Sequence, residues 1–153
     1  MDKDELLWNA YQEHCTWERH HEDQRSSVTN IMIAVAAGIL AVIGIDNTLS
    51  MSDLPLTCFL IIQGLFGSIF VAKQYECFAR HQLLAGRYRQ ALNDAFPDSY
   101  LILLREQGVQ EHKGRYQYIS RLRLYLLWIL LHASFAFFGI ILTLLILGVW
   151  GQA

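Results

Sequence analysis

The chain has 153 residues, 54% of them hydrophobic and 17% charged, with a formal net charge of −2. A chain without basic excess lacks the surface that nucleic-acid binding needs, so no nucleic acid is expected as a partner. The three cysteines, Cys15, Cys58 and Cys77, are scattered without metal-type spacing and, being odd in number, give no disulfide framework.

Residues 1–27 are polar and acidic, and no small-residue cleavage site follows the first apolar run, so this stretch does not read as a signal peptide. It keeps a helical rhythm instead. Leu7, Tyr11, His14, Trp17, His21 and Val28 recur at steps of three, four or seven, with no Pro or Gly between them. One continuous helix is expected from about Asp4 to Ile45. Within it, Val28 to Ile45 carries no charge, which makes 28–45 the first candidate transmembrane helix.

Asp46-Asn47 reads as a helix stop, and Ser52-Asp53-Leu54-Pro55 as a helix start with Pro in the first turn. The second candidate span is 54–72, uncharged and again close to the roughly 20 residues that cross a bilayer core. No breaker follows it. The stripe Phe70, Cys77, Phe78, His81, Leu84, Ala85, Tyr88 and Leu92 predicts a helix that ends near Phe96-Pro97. A short helix over about Ser99–Gln107 is expected next, then a loop over Gly108–Gly114, then a lead-in from Arg115 to Leu124. The third candidate span is 124–149, with Trp128 and Trp150 near its two ends, where indoles favour the interface.

The charges orient this arrangement. Three of the twelve basic residues (Lys3, Arg19, Arg25) precede the first span and the other nine lie within 73–123, so all twelve fall on one side of a three-span chain. The positive-inside rule makes that side cytoplasmic. The expected fold is therefore an all-α polytopic membrane protein, a single domain over 1–153. It has three transmembrane helices, a helical cytoplasmic layer from 1–27 and 73–123, a cytoplasmic N-terminus and a C-terminus outside. Membrane lipids are one partner. Three spans make a thin bundle, so a homo-oligomer is the expected way to bury the remaining apolar surface.

Polar residues at membrane depth are costly and often functional. Gln63 lies midway along the second span beside the small residues Gly64, Gly67 and Ser68, which allow close helix approach. Two readings stand: packing between helices, or a polar ring lining a pore. His132 lies two turns into the third span and reads either as a hydrogen-bonded interface histidine or as a gating or proton-sensing group. Arg80, Arg87, Arg89, Arg121 and Arg123 cluster near the second and third spans, where they would meet anionic lipid headgroups or an anionic ligand. His14, His20 and His21 with Cys15 and Glu18 carry helical spacings that a metal could use, but nothing completes the ligand set, so no metal and no cofactor are expected. Arg105 and His112 match a loose Arg-x4–6-His pattern of helical nucleases. The match falls across a Gly-containing stretch and is of the kind chance supplies, so no enzyme is expected.

The layout resembles small bacterial membrane proteins of the RipA-like octameric family and the octameric pore protein associated with some RNA-targeting CRISPR systems. It also resembles, less closely, the two-span SLATT effectors of bacterial conflict systems. The shared features are a polar N-terminal helix, here Tyr11 to Asn30 with Arg25, running into the first span; a short outer hairpin; and a second span continuing into Arg87-Tyr88-Arg89-Gln90-Ala91-Leu92. The resemblance implies a self-assembling inner-membrane protein that forms or gates a pore, or perturbs the membrane, in antiphage defence. The alternative is a membrane anchor whose cytoplasmic helices hold a soluble partner.

Overall fold

The computed structural model describes residues 2–45, 48–96 and 101–150. Among these, every regular element is helical. Helix α1 is Lys3–Gly44, α2 is Leu54–Ala95, α3 is Leu101–Arg115 and α4 is Leu124–Trp150, with single 3-10 turns at Met51–Asp53 and Ile119–Arg121. The expected stop at Asp46-Asn47, the residues Pro97 to Tyr100 and the terminal Gly151–Ala153 lie outside the described residues.

The two long helices run as the absence of breakers predicts. Asp4 and Glu5 sit in the first turn of α1, where negative charge complements the exposed N–H groups of the helix end. The Asp53 carboxylate accepts from Ser50 N–H at 2.9 Å just ahead of α2, and Pro55 occupies the first turn, where its missing N–H costs nothing. Three helices (Lys3–Gly44, Met51–Ala95 with its leading turn, and Leu124–Gly148) are long and apolar enough to cross a membrane. Their most apolar 18-residue stretches have mean hydropathies of 2.1, 2.0 and 2.4.

One expectation is corrected. The stretch Gly108–Gly114 is not a loop but the second half of α3. A glycine inside a helix costs only about 1 kcal/mol, and the residues around Gly108 are Gln107, Gln110, Glu111 and Lys113, all good helix formers. His112, Lys113 and Arg115 fill the last turn, where positive charge complements the C-terminal carbonyls, and Arg115 lies 3.8 Å from Glu111 one turn back. Arg115 thus ends α3 and does not begin the lead-in to α4. The chain instead turns at 116–118, makes the 3-10 turn and extends at Leu122 before α4 starts.

The chain divides into two compact units. The first comprises Met1–Asp23 and Gln74–Leu124, the second Gln24–Lys73 and Tyr125–Ala153. In the second unit, α1 buries Arg25, Thr29, Met32, Ala36, Ile39 and Ile43 at alternating steps of four and three, one face of a helix. Leu60 and Val71 of α2 and Ala136 and Ile146 of α4 complete this core. In the first unit the buried apolar residues are Ala85 and Leu92 of α2.

Candidate functional site

In the second unit the structure brings Gln63, Gly64, Gly67 and His132 together at the crossing of α2 with its neighbours. The glycines are there because nothing larger fits. A Cβ built on Gly64 would meet the backbone of α4, with His132 O at 2.6 Å and the Ala136 nitrogen closer still. One built on Gly67 would fall 2.6 Å from His132 Cγ. From the opposite side, a Cβ on Gly139 of α4 would sit 2.9 Å from Thr57 O and 3.0 Å from Ile61 N. Small residues on both helices thus allow the backbones to approach closely, as at membrane helix interfaces generally.

Some of the polar groups are paired within the same bundle. Gln63 Nε2 donates to the Met32 carbonyl of α1 at 2.5 Å, while its Oε1 is buried with no partner among the described residues. His132 is fully buried; its Nε2 lies 3.3 Å from Thr29 Oγ1 and its ring meets the edge of Phe135. Its Nδ1 is buried without a partner, as is Trp128 Nε1. Thr143 donates to Thr57 at 2.9 Å, another contact between α4 and α2. By contrast, every exposed position within 31–44, 59–69 and 133–148 is apolar. The arrangement holds three helices to one another and presents hydrocarbon outward.

In the first unit a histidine and aromatic cluster joins α1 to α2. His14 Nδ1 lies 2.9 Å from His81 Nδ1, so one ring donates to the other and at least one of the pair is neutral. The His14 ring stacks on Tyr88 and Trp17 stacks on His81. His21 Nδ1 donates to Gln74 Oε1 at 2.7 Å. Burial, then the neighbouring His14, Arg80 and His21, hold His81 below its ordinary value, with Glu13 pulling the other way. Among the described residues no three His, Cys, Asp or Glu side chains converge as a metal would require. The His20 ring meets Trp17 edge-on and packs near His21.

The arginines separate. Arg87 and Arg89 line a cleft of about 550 Å³ between α2 and α3, together with Arg105. Arg80, Arg121 and Arg123 are exposed and do not line it. Beside the cleft, burial raises the Glu18 carboxyl above its ordinary value against the opposing pull of Arg89.

The partners were the part that sequence reasoning missed. Thr29 meets His132, Ala136 packs on Gly64, Gly139 packs on Thr57 and Ile61, and Arg105 completes the arginine cleft. Thr29 carried a readable signal, being a polar residue in register with Met32 and Ala36. Arg105 carried none beyond its charge. No known protein family, characterised protein or solved structure matches the chain.

Proposed function

We propose that this chain is an integral inner-membrane protein that self-associates and, once assembled, opens or perturbs the bilayer. Its N-terminus and residues 73–123 face the cytoplasm and its C-terminus lies outside. The charge partition supports the orientation. The outward apolar surface of the second unit supports lipid contact around a self-sufficient bundle.

The observation that carries self-association is in the first unit. This polar part of the chain leaves Trp8 50%, Trp17 43%, Leu83 61% and Leu104 62% exposed. Large apolar side chains of this kind in an aqueous layer mark a surface that another chain covers. The resemblance to octameric membrane proteins favours further copies of this chain and a role in antiphage defence. The assay is dye release from liposomes reconstituted with the purified protein. Release that rises with protein density supports the reading, and intact liposomes at every density refute it.

A second reading has its own support. Gln63 and His132 are spent on packing, and the exposed positions along the mid-span are apolar, which suits a plain anchor whose polar helices hold a soluble partner. Stoichiometric co-purification of a soluble protein, with no dye release, would decide for it.

A further inference from the structure

Three arginines of the first unit line one cleft. On α2, Gln82, Gly86 and Gln90 share one helical face at spacings of four and eight, and Arg87 and Arg89 flank it on opposite edges. Arg105 closes the cleft from α3. The first turn of α3 is tied to α2 by Ile102 N–H donating to Asn93 Oδ1 at 3.4 Å, which sets Arg105 one turn further along. A smaller cavity of about 210 Å³ adjoins and shares Gln82, Arg89 and Arg105 with the main cleft.

Residue 86 opens onto the hollow. A Cβ built on Gly86 meets nothing within 4 Å, so any larger residue there would project into open space. Among the described residues, Arg87, Arg89 and Arg105 form no ion pair and no hydrogen bond. Three acids are near. Glu106 stands on the cleft wall, Glu18 lines the adjoining cavity, where it attracts Arg89, and Asp94 accepts from Gln90 Nε2 at 2.9 Å. Of these only Glu106 lines the cleft itself, so three guanidiniums face one carboxylate across it.

We propose that this cleft binds a phosphoryl-bearing small anion. Arg87, Arg89 and Arg105 would grip the phosphoryl oxygens, and the Gln82 amide would donate alongside. A guanidinium is a planar fork whose paired N–H groups match the spacing of phosphate oxygens. A phosphoryl dianion offers enough acceptors for three such forks, more than a single carboxylate does. The volume lies within the range of about 300–1,000 Å³ typical of small-molecule sites, larger than a bare ion fills. The same chemistry is carried by a soluble phosphate monoester and by the monoester headgroup of phosphatidic acid. The inference goes beyond the proposed function and stands whether or not the assembly opens a bilayer, because its readout is binding.

The test uses the full-length chain with two probes. Sodium pyrophosphate is titrated calorimetrically into detergent-solubilised protein. In parallel, the melting temperature is followed in phosphatidylcholine nanodiscs with and without phosphatidic acid. Three proteins are compared: wild type, the double variant Arg89→Gln/Arg105→Gln, and Gly86→Met. The last projects into the hollow, keeps every charge and replaces a poor helix former by a good one, so it preserves the fold independently of the charge variant. A soluble ligand source predicts saturable pyrophosphate binding that weakens about tenfold or more in both variants. A headgroup source predicts no pyrophosphate binding, but stabilisation by phosphatidic acid that both variants lose. The proposal is overturned if neither probe acts on the wild type, or if Gly86→Met responds to both probes as the wild type does.

Discussion

Adding one methyl group at Gly67 tests the packing account of the span bundle. In Gly67→Ala the new Cβ would lie 2.6 Å from His132 Cγ and 2.9 Å from Cε1. Ordinary carbon contacts are about 3.5–4.0 Å, so α2 and α4 must separate by about 1 Å or the ring must move. The ring has nowhere to go. It is fully buried, its Nε2 faces Thr29 and its side abuts Phe135. Overpacking of this kind costs about 1–3 kcal/mol. Gly38→Ala is the matched control, since a Cβ there meets nothing within 4 Å. Freed from any clash, it should gain up to about 1 kcal/mol from the better helix propensity of alanine. Reversible unfolding in mixed micelles, followed by far-UV circular dichroism, compares the two. Removing the ring with His132→Ala should relieve most of the Gly67→Ala penalty, a coupling that a double-mutant cycle measures. If Gly67→Ala is as stable as Gly38→Ala in the presence of His132, the close-packing account fails.

Other outcomes follow from the same structure. Gln63→Leu should change bundle stability by no more than about 0.6–1.7 kcal/mol, the range for one interhelical polar contact in a membrane. The Oε1 it removes has no partner to lose, and any liposome leakage should keep the wild-type rate; a large change in leakage would place Gln63 on a permeation path. Because His81 is held below its ordinary value, its protonation disfavours the folded first unit. The resulting stability is fully present above about pH 6.5 and declines as pH falls through the lowered value. Thermal melts at descending pH should show this slope in the wild type and a shallower one in His81→Gln; equal slopes would exclude His81 as its source. For topology, a cysteine at Gly114 in a background lacking Cys15, Cys58 and Cys77 should resist membrane-impermeant labelling in spheroplasts. Labelling from outside would reverse the proposed orientation.

Much of the fold was readable because its determinants are local. Uncharged runs of span length mark α2 and α4 and the latter part of α1, and the absence of Pro and Gly from Asp4 to Ala37 carries α1 unbroken from polar to apolar sequence. The error at Gly108–Gly114 came from treating two glycines as breakers where the helix formers around them and the charged last turn outweigh their cost. The site divides along the same line. Gln63, Gly64, Gly67 and His132 stand out as polar or small residues in apolar runs. That they pack against one another is a long-range fact, set by which helices are neighbours, and Thr29 lies 103 positions from its partner His132. Likewise His81 joins His14 across 67 positions, and Arg105 meets Arg89 only because α3 folds back on α2.

The central claim is that a single chain leaves surface in its first unit that further copies cover. The most direct measurement is the mass of the particle extracted from its membrane into native-lipid nanodiscs, without passage through detergent. The account predicts particles whose protein mass is a fixed multiple of the 17.6 kDa chain. Particles holding one chain each, at every expression level, would contradict it.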